Sequence, residues 1–129
     1  MLLEKNLAEI SLVPCDYVEL RDIIAGGRFR LNSWKLIDEQ YVWNENSFLY
    51  KGMVDNNVVA LLYYFAEKGK IHLSCLEVIE ECRSVGIGRR IVELFLNEKS
   101  YNREDIIVEP LNEAAESFWN AVGIRCSLY

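Results

Sequence analysis

The stretch that decides the fold is "CRSVGIGRR", residues 82–90, which lies between the apolar runs "IHLSCLEVI" (71–79) and "IVELFL" (91–96). Gly86 and Gly88 are separated by one residue, and arginines lie on both sides of them. Glycine allows a sharp turn and a close approach of the backbone to a ligand, and the N–H groups at the start of a helix attract an anion. The segment therefore predicts a strand, a phosphate-binding turn and a helix, in that order.

Length and charge limit the classes of protein to which the chain can belong. Its 129 residues, 51% of them hydrophobic, suffice for one ordinary domain with a buried core. We therefore expect a single domain over residues 1–129. The formal net charge is −6 and the sequence pI is about 4.8. A nucleic-acid-binding surface needs clustered lysine and arginine, so nucleic acid is not an expected partner and any anion site must be local.

The potential metal ligands are scattered along the sequence. His72 is the single histidine, and no C-x-x-C pair occurs among the four cysteines, Cys15, Cys75, Cys82 and Cys126. Zinc sites need such ligands in close sets, so no metal is expected. The first residues lack the pattern of a signal peptide, and no apolar run reaches the roughly 18 residues that span a membrane. These features predict a cytoplasmic protein without a membrane partner.

Hydrophobic periodicity and turn residues divide the chain into alternating elements. The predicted strands cover residues 7–14, 47–54, 58–65, 71–78, 105–109 and 124–129. The predicted helices cover residues 17–27 after the N-cap Asp16, residues 33–43, a segment that begins at Ile87, and a segment from the N-cap Asn112 to Gly123.

The order of these elements predicts the fold class. It reads strand, two helices, three strands, helix, strand, helix, strand. Antiparallel strands followed by a β-α-β crossover make a mixed sheet. We therefore expect an α/β fold of the mixed α+β kind, with a mostly antiparallel central sheet of about six strands and helices on both faces.

Three phosphate-binding schemes compete for the glycine segment. A P-loop needs four residues between its glycines and a following lysine, and "GIGRR" has neither. A dinucleotide fingerprint would use Gly86 and Gly88, with Glu109 on the next strand as the ribose-binding acid. Its third small residue is replaced by Ile91, however, and the 20 residues after Glu109 cannot complete a dinucleotide domain. The third scheme, R-x-x-G-x-G, fits residues 83–88.

Two motifs carry a resemblance to a known family. Residues 76–88, "LEVIEECRSVGIG", lie in register with the rough pattern L-x-V-x-P-E-x-R-G-x-G-x-G. Residues 112–124, "NEAAESFWNAVGI", match N-x-x-A-x-x-[FL]-[YW]-x-x-x-G-[FI] at every specified position. By these motifs the chain resembles the GNAT superfamily of acyl-CoA-dependent N-acyltransferases. The resemblance is explicit over residues 71–124 and implies a GNAT-like fold.

The resemblance implies coenzyme A, in the form of acetyl-CoA, as the cofactor. The backbone amides of Arg83 and of residues 85–89 would hold the pyrophosphate, and the main-chain groups of Leu76 and Val78 would pair with the pantetheine arm. Asn112 would reach the same arm and also cap its helix. The implied cofactor-binding residues are Leu76, Val78, Arg83, Ser84, Val85, Gly86, Ile87, Gly88, Arg89, Asn112 and Trp119.

The activity that the resemblance implies is transfer of an acetyl group to a primary amine by direct attack of that amine. Many members of the family have a tyrosine at the place of Trp119 that protonates the leaving thiolate, and an indole N–H cannot act as that acid. Other members have tryptophan there. The proton would then come from water or from Ser117, Tyr63, Tyr64 or Tyr129. The alternative function is a GNAT-like domain that binds acetyl-CoA as a sensor or scaffold.

An amine nucleophile is helped by a general base whose pKa lies near the working pH. His72 is the first candidate, because histidine titrates near neutrality, although a structural place within its strand suits it equally. Glu77 and Glu109 are the alternatives. Regular alternation along the strand would put Glu77 on the side opposite to His72 and Val78. By the resemblance, the main-chain N–H of Val78 would stabilise the oxyanion.

The expected partners are an amine acceptor and a second copy of the chain. The acceptor, a small molecule or a peptide, would bind near residues 25–47, which match no family motif. Aromatic side chains that could line its pocket are Trp34, Tyr41 and Trp43, and acidic side chains that could attract a cation are Asp38, Glu39 and Glu45. Only six residues follow Gly123, fewer than the two last strands of GNAT domains need. A homodimer that covers the sheet edge is therefore an expectation.

Overall fold

The described strands and helices follow one another in the predicted order, from the first strand to the helix that begins after Asn112. The computed structural model describes residues 9–31, 34, 46–83, 86–110, 112–124 and 126. The strands are β1 Ser11–Pro14, β2 Ser47–Val54, β3 Asn57–Glu67, β4 Lys70–Val78 and β5 Ile106–Val108. The α-helices are α1 Tyr17–Ala25, α2 Ile87–Lys99 and α3 Glu113–Ala121. The helix predicted over residues 33–43 lies outside the described residues apart from Trp34.

The strands form one mixed sheet with the order β1-β2-β3-β4-β5. Neighbours from β1 to β4 are antiparallel, whereas β5 is parallel to β4, so α2 forms the crossover of a β-α-β unit. The predicted mixed, mostly antiparallel sheet is thereby confirmed. Among the described residues the sheet has five strands, where about six were expected. Of the residues 124–129 predicted to form the last strand, Cys126 makes an isolated parallel bridge with Val108, and residues 125 and 127–129 lie outside the described residues.

Strand β4 contains an extra residue relative to β3. The register shifts between Tyr63 and Tyr64 of β3, which makes Ser74 a β-bulge on the opposite strand. The bulge reverses the alternation of side chains, so His72 and Glu77 lie on the same face of the sheet. The expectation that these two side chains face opposite sides, which assumed regular alternation, is wrong.

Both faces of the sheet are covered, as predicted. We refer to them by the β4 residues that they carry, as the Glu77 face and the Val78 face. Helix α2 packs on the Val78 face, where the rings of Phe95 and Tyr64 meet edge to face with centroids 4.8 Å apart. The Glu77 face is covered by the chain that follows α1, where Trp34 is fully buried.

The two predicted helix caps are present. Asp16 accepts the backbone N–H of Glu19 at 2.8 Å, and the Glu19 side chain accepts the backbone N–H of Asp16, which together form a capping box. Asn112 Oδ1 accepts the backbone N–H of Ala115 at 2.8 Å. These short-range bonds fix the first turns of α1 and α3.

Candidate functional site

A cleft opens between β4 and β5. Strand β5 pairs with β4 over residues 71–73 and ends at Val108, whereas β4 continues to Val78. A cavity of about 70 Å³ lies where the two strands diverge. Among the described residues it is lined by β4 residues 73–76, by residues 108–110, and by Leu31, Ala115 and Trp119.

The main-chain groups of Leu76 and Val78 point toward this cleft. The N–H of Ile79 donates to the carbonyl oxygen of Val59 at 3.0 Å. In an antiparallel pair every second residue directs its N–H and C=O groups toward the neighbouring strand, so Glu77 and Ile79 direct theirs toward β3. Leu76 and Val78 therefore direct their N–H and C=O groups away from β3, to the side that β5 leaves open. Arg83 Nε donates to the Val78 carbonyl at 2.9 Å. The edge of β4 thus presents peptide groups suited to an extended, amide-containing ligand.

The glycine turn makes a cradle for an anion at the start of α2. Gly86 has a φ of 90°, in the left-handed region that favours glycine. The first N–H groups of α2 have no partners within the helix. A Cβ at Gly88 would lie 3.1 Å from the ring of Phe118, so glycine permits the close packing here. The free N–H groups at the start of α2 therefore fit a pyrophosphate.

Other implied cofactor-binding residues have structural contacts near the turn. Arg89 Nη2 donates to the carbonyl oxygen of Ala121 at 3.2 Å and ties α2 to α3. Ile87 is buried at the start of α2. Ser84 and Val85 lie outside the described residues. The anion cradle is therefore formed by the backbone at the start of α2, and the Arg89 side chain holds this helix against α3.

Trp119 forms part of the cleft wall. Its side chain is buried, and its ring meets that of Phe118 edge to face with centroids 4.9 Å apart. Asn112, by contrast, is exposed and caps α3. The indole of Trp119 therefore offers the cleft a flat apolar surface held by packing on α3.

The three candidate bases have different surroundings. His72 is half-buried and stacks on Phe65, with ring centroids 4.6 Å apart. Glu77 is buried and accepts hydrogen bonds from several N–H groups. Glu109 is exposed and lines the cleft. Of the three, Glu109 is the one that borders the cavity among the described residues.

Two of the hydroxyl groups considered as acids, those of Tyr63 and Tyr64, are poorly suited to that role. Tyr63 donates to Ser47 Oγ at 3.0 Å, and burial raises the pKa of the Tyr63 hydroxyl. Burial also raises the pKa of Tyr64, which lies on the central strand β3. A raised pKa makes a hydroxyl a weaker proton donor. Ser117 is exposed on α3, and Tyr129 lies outside the described residues.

Of the three aromatic side chains predicted to line the acceptor pocket, Trp34 is the one that lies within the described residues. Trp34 is fully buried and its Nε1 donates to Glu77 Oε1 at 2.7 Å, so it belongs to the core. The other predicted acceptor-side residues lie outside the described part of the chain: Tyr41, Trp43, Asp38, Glu39 and Glu45.

Within the described residues, no three His, Cys, Asp or Glu side chains are grouped so that they could hold a metal ion. None of the described helices is long and apolar enough to cross a bilayer.

Solved structures that share this fold are acetyltransferases. The ribosomal-protein-alanine N-acetyltransferase of Brucella melitensis biovar Abortus 2308 gives a TM-score of 0.65 at 9% identity, over 93% of this chain and 95% of that one. The ribosomal-protein-S18-alanine N-acetyltransferase of Escherichia coli gives 0.68 at 14% identity, over 88% and 76%. Aminoglycoside N-acetyltransferase AAC(6')-Iy, in complex with CoA, gives 0.61 at 12% identity, over 90% and 88%.

No protein-family model and no curated protein matches the sequence. At identities this low, the structural likeness establishes a shared fold. The chain therefore has the fold of GNAT-type N-acetyltransferases, which is the fold that its two sequence motifs imply.

Several cleft residues were not singled out from the sequence. Leu31 and Pro110 line the cavity together with Ala115. Ala115 is a specified position of the motif over residues 112–124, so the sequence did mark this residue as one that the site uses. Leu31 lies in a stretch without a motif, and its place depends on bonds to Glu77, which is 46 residues away along the chain. No local pattern could have marked it.

Proposed function

We propose that the protein is an acetyl-CoA-dependent N-acetyltransferase that acts on a primary amine. The observation that carries this proposal is the cleft between β4 and β5, because it joins two features suited to one extended anionic cofactor. The glycine turn offers the N–H groups at the start of α2. The edge of β4 offers the main-chain groups of Leu76 and Val78. Coenzyme A has a pyrophosphate followed by an amide-containing arm, and its parts match these features in order.

The residues at the cleft suggest how transfer proceeds. Acetyl-CoA, when bound, would supply an acetyl thioester for attack by a primary amine; as the C–N bond forms, the C–S bond would break and the coenzyme A thiolate would leave and take a proton from water. The main-chain N–H of Val78 points into the cleft and stabilises the oxyanion. Glu109, at the border of the cavity, accepts the proton of the amine directly or through water. Trp119 provides an apolar wall that limits the access of water.

The proposed acceptor is a small amine or a peptide amine. A net charge of −6 favours a cationic acceptor over an anionic one. The fold neighbours are named for a ribosomal-protein alanine and for aminoglycosides, which are acceptors of these two kinds. Trp119, at the place of a tyrosine acid, supports a second candidate function, in which the domain binds acetyl-CoA as a sensor without transfer.

A thermal-shift titration followed by a thiol-release assay tests this proposal. Coenzyme A and acetyl-CoA should both stabilise the fold, by about 2.7 kcal/mol at a concentration of 100 times Kd. Thiol release should then occur with at least one member of a panel of alkylamines, arylamines, polyamines and peptides. Absence of stabilisation would reject both cofactor-binding functions. Stabilisation without thiol release from any amine would select the sensor.

Replacing Gly86 by alanine should weaken coenzyme A binding about tenfold, which corresponds to about 1.4 kcal/mol. A Cβ is strained at a φ of 90°, so the turn would shift away from the geometry that presents its N–H groups. The matched control is Gly69→Ala, because Gly69 has a φ of 77° in the turn at the other end of β4. Both variants should lose similar stability, and Gly86→Ala alone should lose affinity in calorimetry. Equal affinity losses would contradict the cradle.

A homodimer and a cytoplasmic location are also proposed. The homodimer rests on the outer edge of β5, which among the described residues carries an isolated bridge to Cys126 in place of a paired strand. The cytoplasmic location rests on the charge and cysteine pattern of the sequence. Sedimentation of the protein as a monomer at high concentration would reject the homodimer.

A further inference from the structure

The carboxylate of Glu77 is 5% exposed and accepts hydrogen bonds on both of its oxygens. Oε2 accepts from the backbone N–H of Arg30 at 2.9 Å and from Arg83 Nη2 at 3.4 Å. Oε1 accepts from the backbone N–H of Leu31 at 3.2 Å and from Trp34 Nε1 at 2.7 Å. Every partner is an N–H donor, so these contacts require a group that accepts on both atoms.

These bonds determine where Leu31 lies. Residues 26–31 follow α1 without forming a helix or a strand, so the backbone N–H groups of Arg30 and Leu31 use Glu77 as their acceptor. Leu31 is half-buried and lines the cavity with Trp119. One wall of the cavity therefore depends on a carboxylate that does not itself line it.

Two further ion pairs join the same segment to the turn after β4. Arg28 pairs with Glu81, and Arg30 pairs with Glu80. The side chains of these pairs are 48% to 72% exposed, and ion pairs as exposed as these contribute little to stability. The buried Glu77 is therefore the main polar contact between this segment and the sheet.

The cavity lies away from the glycine turn along β4. Its lining residues 73–76 precede Val78 by two to five positions, roughly 7–17 Å along a strand. A cofactor with its pyrophosphate in the turn and its thioester at the N–H of Val78 would direct its acyl group along β4 toward the near end of the cavity, at Leu76. A volume of about 70 Å³ suits a small acyl group.

We propose that Glu77 is a positioning residue that holds Leu31 as a wall at the acyl end of the cleft, and that this wall restricts the acyl group to acetyl. The inference rests on the proposed function, because it assumes an acyl-CoA in the cleft. Glu77 acts through the backbone of Leu31 and does not touch the reacting atoms.

Calorimetric binding of acetyl-CoA and butyryl-CoA to four proteins tests this inference without requiring turnover. The proteins are the wild type, Leu31→Ala, Glu77→Gln and the double variant. The wild type should prefer acetyl-CoA, and Leu31→Ala should reduce that preference about tenfold. Glu77→Gln should also reduce it, because either orientation of the amide sets its NH₂ group against N–H donors. The double variant should show the preference of Leu31→Ala alone.

The control is Glu80→Gln, which removes an exposed carboxylate from the same region and should leave the preference unchanged. If Glu77 only stabilises the fold, Glu77→Gln will weaken the binding of acetyl-CoA and of butyryl-CoA equally, and that result overturns the inference. An effect of Glu77→Gln that persists in the Leu31→Ala background overturns it too. Leu31→Ala keeps Glu77 and tests the wall even if Glu77→Gln does not fold. A wild type that binds neither ester would instead overturn the proposed function, and the inference with it.

Discussion

Replacement of Trp34 by alanine is expected to reduce the free energy of unfolding by about 3–5 kcal/mol. The side chain of Trp34 is fully buried on the Glu77 face, so alanine would leave a cavity there. The substitution would also remove the indole N–H that donates to Glu77 Oε1 at 2.7 Å. Urea unfolding followed by circular dichroism measures the loss.

The matched variant Trp34→Phe separates packing from hydrogen bonding. Phenylalanine keeps an aromatic ring in the core and removes the N–H donor, so we expect a smaller loss of about 1–3 kcal/mol. Equal losses in the two variants would mean that the bond to Glu77, rather than the volume of the ring, dominates. A loss of under about 1 kcal/mol for Trp34→Ala would be inconsistent with a fully buried indole.

Replacement of Glu109 by glutamine is expected to lower kcat about 100-fold for the amine found in the thiol-release assay. Glutamine keeps the size of the side chain but cannot accept the proton of the attacking amine. The acid limb of the pH–rate profile should therefore disappear, while the affinity for coenzyme A should stay unchanged because the glycine turn is intact. Steady-state kinetics across a pH series, with calorimetry for the cofactor, measures both.

Two controls accompany this variant. Glu113→Gln removes an exposed carboxylate near the start of α3 and should leave kcat and the pH profile unaltered. His72→Gln should also preserve the acid limb, because the imidazole stacks on Phe65 and does not border the cavity. If His72→Gln abolishes the limb and Glu109→Gln preserves it, His72 is the base and the assignment to Glu109 is wrong.

Features that depend on neighbouring residues could be predicted from the sequence. Strand β2 has the predicted bounds, 47–54, because its apolar pattern and flanking turns are local. The caps Asp16 and Asn112 each bond a backbone N–H three residues ahead. The glycine turn needs Gly86 in the left-handed region, and that requirement is visible in the residue itself.

Features that depend on pairing between distant segments could not be predicted. The bulge at Ser74 is defined by the register of β4 against β3, and β4 alone reads as a regular strand. The prediction that His72 and Glu77 face opposite sides of the sheet was wrong for that reason. The contacts of Glu77 with Arg30, Leu31 and Trp34 likewise connect segments more than 40 residues apart.

The sequence by itself determined the order of elements, the strand-turn-helix around Gly86 and Gly88, and the likeness to GNAT acyltransferases, because short-range sterics and hydrogen bonding specify them. The tertiary structure decided which side chains meet at the cleft. It brought Glu109 and Leu31 to the cavity, stacked His72 on Phe65, and surrounded the Glu77 carboxylate with donors. These placements follow from strand register and from burial that must satisfy every polar group, and both are properties of the folded chain.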